Sequence, residues 1–230
     1  MTRGYPDYVQ SSNKFEIADI GNIIYATGDV IYKDRFEEPV IQWNEALTGD
    51  VSTEITTDDF FSGCACLKVI VGPTAGSQDD LFIYPPLSTS GKTGIEVVFC
   101  EYDGTTLYLE FRITLYIGIK YYRGSIRYNF VTNVWQYESA LNTYSTLSRI
   151  DAKIPYGLPA WAFLKLIIDP EKSTYFQLRV NDRVIGMQDL SLVTGVANYG
   201  GYSRIDMFVT NAGTDTATVL FDNVTLSREN

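Results

Sequence analysis

Between Leu107 and Ile119 every odd-numbered residue is apolar: Leu107, Leu109, Phe111, Ile113, Leu115, Ile117 and Ile119. The even positions before Gly118 hold Tyr108, Glu110, Arg112, Thr114 and Tyr116. A period of two sustained over this length is that of a pleated strand, whose successive side chains point to opposite faces. It is not helical, because a helix repeats its apolar positions every three or four residues. The stretch exceeds an average strand, so it is one long strand or two joined by a bend near Gly118. One face belongs in a core. The other displays tyrosines and charges.

The same grammar recurs along the chain. Leu67 to Val71 is an apolar run closed by Gly72-Pro73, and Leu81 to Tyr84 is stopped by Pro85-Pro86. Ile95, Val97 and Phe99 alternate with Glu96, as do Ile126, Tyr128 and Phe130 with Arg127 and Asn129. Phe176, Leu178 and Val180 face one way and Tyr175, Gln177 and Arg179 the other. Asn181-Asp182 follows, and both residues tolerate the positive φ of a tight hairpin. Leu190 to Val193 suits a helical turn. From Ala217 the apolar positions switch parity, so either both faces are buried or a bulge near Asp222-Asn223 exchanges them. These patterns predict an all-β chain, a two-sheet antiparallel β-sandwich or jelly roll over residues 34–230. Residues 1–33 read as an N-terminal arm or extra β layer. Tyr5, Tyr8, Ile23, Ile24 and Tyr25 give it enough apolar surface to pack on a neighbouring subunit.

Composition narrows the chemistry. The 230 residues include no histidine, which removes the commonest general base and the usual transition-metal ligand. Ser-His-Asp and Cys-His nucleophiles are excluded with it. A net charge of -10 argues against nucleic acid, which is held by clustered Lys and Arg. No run is long enough for a membrane span, and Met1 to Pro6 does not read as a signal peptide. Cys64 and Cys66 share a strand face. Either could meet Cys100, although buried free thiols are the expectation. Catalysis would fall to carboxylates such as Glu101, Asp103 and Glu110. Glu101 to Gly104 reads better as a turn, however, and Glu110 as the partner of a neighbouring charge. A non-enzyme is expected.

The polar face of the 107–117 strand is then the place to look for function. Tyr108, Arg112 and Tyr116 lie along it, with Arg127, Trp135 and Tyr137 expected on neighbouring strands. Such a face could stack on sugar rings, form a protein interface rich in Tyr, Trp and Arg, or simply pack against a long loop over residues 136–156.

Several short segments carry a family resemblance. They are Asp34-Arg35-Phe36-Glu37-Glu38 with Trp43, Phe61 to Val69, Trp161 to Leu166, Val180-Asn181 and Phe221-Asp222-Asn223-Val224. Together they resemble the jelly-roll carbohydrate-binding modules and concanavalin-like lectin folds over about residues 34–228. The resemblance implies a structural calcium held by Glu37 or Glu38 together with Asp222. The alternative is that Asp222 caps a bulge through backbone amides. The opening Arg3-Gly4-Tyr5-Pro6-Asp7-Tyr8 looks like the start of some tailed-phage structural proteins. The leading expectation is a non-catalytic decoration or structural protein of a phage particle. It would partner itself and other virion proteins through the arm and the aromatic surface, on a virion or otherwise outside a cell. A carbohydrate-binding module gripping a glycan is the alternative, and a carboxylate-dependent hydrolase or lyase comes third.

Overall fold

The computed structural model of the chain describes residues 28–87, 91–101, 107–154 and 160–229. Strands β1 (Asp29–Asp34), β2 (Asn44–Thr48), β3 (Val51–Thr56), β4 (Cys66–Val71) and β5 (Gln78–Ile83) come first. Next are β6 (Lys92–Glu101), β7 (Leu107–Ile117), β8 (Lys120–Asn129), β9 (Val134–Ala140) and β10 (Thr143–Thr146). The last are β11 (Ala162–Asp169), β12 (Thr174–Val180), β13 (Arg183–Gly186), β14 (Val193–Val196), β15 (Tyr202–Asn211) and β16 (Ala217–Glu229). No helix occurs among the described residues, so none there is long and apolar enough to cross a membrane. Leu190 to Val193, expected as a helical turn, instead follows a tight turn closed by Leu190 N–H donating to Met187 O.

The strands form two antiparallel sheets. Sheet I runs β13-β12-β11-β6-β16-β4-β3, with β1 also on β16; sheet II runs β10-β9-β8-β7-β15-β5-β2, with β14 also on β8. The fold is the expected β-sandwich. Leu107, Leu109, Phe111, Ile113 and Leu115 of β7 are fully buried between the sheets. The Phe111 ring lies 5.1 Å from Phe99 of β6 and 6.3 Å from Phe221 of β16, which ties the two layers at their centre. Close packing of this kind makes the interior the main source of stability.

Of the two alternatives for the 107–119 stretch, the bend holds: β7 ends at Ile117, and Gly118 at φ +61° turns the chain into β8. Ile119 therefore sits in the turn, 74% exposed, instead of in the core. Asparagines in the left-handed region close three other hairpins: Asn133 after β8, Asn142 after β9 and Asn181 after β12. Their short polar side chains make that conformation tolerable. The Asn181 turn is as expected from sequence.

Both parity breaks are β-bulges. In β16 the register slips between Asp222 and Thr225, with Asn223 at φ +52°. Phe221 and Val224 thereby both reach the core. In β12 the register slips opposite Ile167 and Ile168, so Tyr175 enters the interior beside Leu178 and Val180. That corrects the expected inward Phe176 and outward Tyr175. The Tyr175 hydroxyl then fills a gap beside β8, accepting from Ser125 N–H at 3.0 Å and lying 3.1 and 3.0 Å from the carbonyls of Ser125 and Glu138. β8 pairs with β9 on one side of this point and with β14 on the other.

The expected boundary after residue 33 is crossed by β1, whose residues 29–34 pair with β16. Val30 and Ile31 thus belong to the sandwich, because β16 extends past β4 and offers an open ladder there. The arm residues Tyr5, Tyr8, Ile23, Ile24 and Tyr25 lie outside the described residues. None of the three cysteines forms a disulfide; Cys66 and Cys100 are buried, whereas Cys64 is exposed.

Candidate functional site

The outer face of sheet II is a grid of polar and aromatic side chains from five strands. Tyr108, Glu110, Arg112, Thr114 and Tyr116 of β7 form its middle column. Opposite them on β15 stand Thr210, Phe208, Asp206, Arg204 and Tyr202. On the other side, β8 contributes Asn129, Arg127, Ser125, Arg123 and Tyr121. Phe82 and Asp80 of β5 extend the grid beyond β15, and Gln136 of β9 extends it beyond Arg127. Alternation alone explains this: the same strands send Ile205, Met207, Val209 and Ile126 inward.

One end of the grid is aromatic. Tyr116 and Tyr202 stack with ring centroids 4.2 Å apart and planes 20° from parallel. Tyr84 meets Tyr202 edge-on at 5.7 Å, Phe82 meets Tyr84 at 5.7 Å, and Tyr121 lies 6.3 Å from Tyr116. The ladder therefore crosses four strands. Gly195 on β14 lets it extend, since a Cβ there would strike the Tyr121 ring. Exposed Tyr84, Ile119, Val196 and Tyr199 surround this end.

The middle of the grid is charged, and the charges are mostly matched. Arg112 pairs with Glu110 at 2.7 Å and lies over the Phe208 ring at 4.4 Å. Arg204 reaches Asp80 at 3.1 Å and Asp206 at 2.5 Å, and covers Phe82 at 4.2 Å. Arg123 grips Glu138 through two nitrogens. Burial, then the charge of Asp206, pushes the Asp80 carboxyl up to about 7. Burial raises Asp206 as well. Tyr144 of β10, within 3.5 Å of Arg112, is raised by burial and then by Glu110.

Four of the six surface residues expected from sequence are brought together here: Tyr108, Arg112, Tyr116 and Arg127. The other two are not. Trp135 is 1% exposed, and its Nε1–H donates to Ala152 O at 2.7 Å inside the core. Tyr137 also points inward, its ring 5.9 Å from that of Tyr175. The physical reason is register: the β8–β9 hairpin sets Trp135 opposite the core residue Tyr128, so both share the inner face. Tyr202, Arg204, Phe82, Tyr84, Tyr121 and Tyr144 were missed. The alternation of Ile205, Met207 and Val209 with Arg204, Asp206 and Phe208 was a usable signal, but only pairing shows that β15 lies beside β7.

Of the acids considered for catalysis, Glu101 and Glu110 are not brought together. Glu101 is buried at the end of β6 in sheet I, whereas Glu110 lies on the outer face of sheet II. Asp103 lies outside the described residues.

Asp222 sits in the β16 bulge, close enough to Glu37 for their charges to interact. Asp222 Oδ2 accepts the backbone amides of Phe61 and Ser62 at 3.0 and 2.7 Å, which is the bulge-capping role. Its Oδ1 is buried without a hydrogen-bond partner among the described residues. Burial pushes the carboxyl up to about 7 despite those amides, and the charge of Glu37 adds to the rise. Glu37 fills the space that a Cβ on Gly63 would take, and Gly63 has φ +81°. Glu38 is exposed. Asp222 Oδ1 and Glu37 thus fit a hard cation in donor type. No group of three His, Cys, Asp or Glu gathers anywhere among the described residues, so backbone carbonyls and water would have to complete the shell.

No protein-family model matches the sequence, and no curated protein matches it. Solved structures do. An endo-β-1,4-glucuronan lyase from the fungus Trichoderma reesei superposes with TM-score 0.58 at 10% identity, covering 87% of this chain and 96% of its own. The carbohydrate recognition domain of Emp47p gives 0.52 at 11% identity, covering 90% and 99%. The CBM2 module of the evolved Dit from Lactobacillus casei BL23 phage J-1 gives 0.51 at 10%, covering 89% and 97%. The shared feature is the fold, the β-sandwich of carbohydrate-binding and lectin-like domains.

Proposed function

We propose that the chain is a non-catalytic carbohydrate-binding domain whose glycan lies on the outer face of sheet II. The observation that carries this reading is the aromatic ladder through Tyr84, Tyr202, Tyr116 and Tyr121 beside a rigid arginine–carboxylate grid. Rings of this kind cover an apolar sugar face at little entropic cost. The paired arginines and acids hold donors and acceptors in fixed places for hydroxyls. The fold shared with an Emp47p carbohydrate recognition domain supports the same reading. The test is affinity electrophoresis across a glycan panel. Retention by the wild type, lost in Tyr116→Ala and Tyr202→Ala while Trp135→Phe retains it, is the expected result. Retention indifferent to both tyrosines would overturn the assignment.

A second reading concerns location. The likeness to a module of a phage J-1 protein supports placing this domain on a virion, in contact with other virion proteins and with copies of itself. Capsid and tail genes next to the coding sequence would support it; neighbouring genes for secreted polysaccharide-degrading enzymes would favour an extracellular module instead. On the opposite side of the molecule, calcium at Asp222 and Glu37 would neutralise two close carboxylates and fasten the 61–63 segment to β16.

A further inference from the structure

Of the arginines on the grid, Arg127 alone lacks a carboxylate within 4.0 Å among the described residues. Its Nε and Nη2 both donate to the amide oxygen of Gln136, at 3.0 and 2.8 Å. A guanidinium has five N–H groups in a planar fork, so three are left over. The plane is held firmly. Tyr144 covers it at 3.9 Å and Tyr108 at 4.9 Å from the ring centroids. Glu110 stands directly across the β7–β8 ladder but is committed elsewhere, its Oε1 accepting from Arg112 and from the Ser125 hydroxyl at 2.7 Å each. The side chain is half-buried, open to a ligand on the face. A fixed guanidinium with no carboxylate within salt-bridge distance among the described residues offers an anion a planar edge of free donors.

We propose that Arg127 receives the carboxylate of a uronic acid, so that the glycan bound on this face is acidic. The inference rests on the glycan-face reading above and names its ligand class. One positive charge beside Glu110 suits a singly charged group better than a dianion such as phosphate. The flat fork between two tyrosine rings suits a planar carboxylate bound through two oxygens.

The experiment compares polyglucuronate with the same polymer after its carboxyls are reduced to alcohols, by affinity electrophoresis and calorimetry on the full chain. A β-glucan bearing sulfate esters is the third probe. The wild type is expected to bind polyglucuronate roughly ten- to hundred-fold more tightly than the reduced polymer, the range of a charge-assisted hydrogen-bonded pair. Arg127→Gln should bind both polymers alike at the reduced polymer's level, and Arg127→Lys should recover part of the preference. Unchanged melting of Arg127→Gln establishes that it is folded, and Arg127→Lys serves if it is not. Equal binding of both polymers by the wild type overturns the uronate assignment and leaves the glycan face standing. A preference surviving in Arg127→Gln, or tighter binding of the sulfated polymer, also overturns it. Failure to bind any of the three overturns it together with the face reading for this backbone.

Discussion

Replacing Asp222 with Asn tests the least comfortable group in the fold. Its carboxyl is buried, one oxygen satisfied by two amides and the other by nothing described. The ordinary value of 3.8 is raised to about 7 in the folded chain, first by burial. Folded protein therefore keeps a proton that unfolded chain releases as pH passes 3.8. The stability this proton provides is complete below that pH and is lost as pH climbs through 7. About three pKa units at roughly 1.36 kcal/mol each amount to about 4 kcal/mol. Asn imitates the protonated acid, since its carbonyl can accept both amides and its NH2 takes the place of Oδ1. Urea unfolding at pH 4 should find the two proteins alike; at pH 8 Asp222→Asn should be the more stable by up to about 4 kcal/mol. Asp79 and Asp80, raised to about 6 and 7, are common to both proteins and cancel in the difference. Calcium at a hundred times its Kd should return about 2.7 kcal/mol to the wild type at pH 8 and little to the variant. A difference that stays flat from pH 4 to pH 8, or that favours the wild type in the absence of calcium, would refute the reasoning. It would mean that the amides outweigh burial.

Other expectations follow from single contacts. Tyr175→Phe removes the hydroxyl that joins Ser125 and Glu138 where β9 gives way to β14, and should cost about 1–3 kcal/mol in urea titrations. A loss under 0.5 kcal/mol would show that the hydroxyl is not needed at the junction. Trp135→Ala empties a core site and should cost about 3–5 kcal/mol by the same measurement, while glycan retention of the folded fraction below its melting range stays unchanged. Reduced retention there would put the indole back in the binding account. Deleting residues 1–27, which leaves β1 in sheet I, should lower the mass in light scattering to that of a monomer without moving the melting temperature. An unchanged mass would remove the arm from assembly.

What the sequence makes legible is local. The inward residues of β7, the Asn181 hairpin and the β16 bulge all follow from period and turn chemistry within a few neighbours. Errors begin where a second strand decides. Tyr175 lies inside because a bulge against β11 shifts its parity, and no pattern within Thr174–Val180 announces it. Trp135, expected on the outer face, lies inside because its cross-strand partner is Tyr128 of the core, a register that nothing within its own strand reveals. The charged half of the site was half visible. Glu110 and Arg112 meet two residues apart on one strand, but Arg204 and Asp80 meet across a separation of 124 residues. That neighbourhood comes from the order β7-β15-β5, which period alone does not encode. The choice between Glu37 and Glu38 was not legible, because loop geometry is what sets Glu37 beside Gly63.

A glycan on the outer face of sheet II is tested most directly by backbone amide shifts, followed while the protein is titrated with a glycan it retains. Changes should concentrate on β5, β15, β7 and β8 around Tyr84, Tyr202, Tyr116 and Arg127. Changes centred on sheet I, or none with any glycan offered, would contradict it.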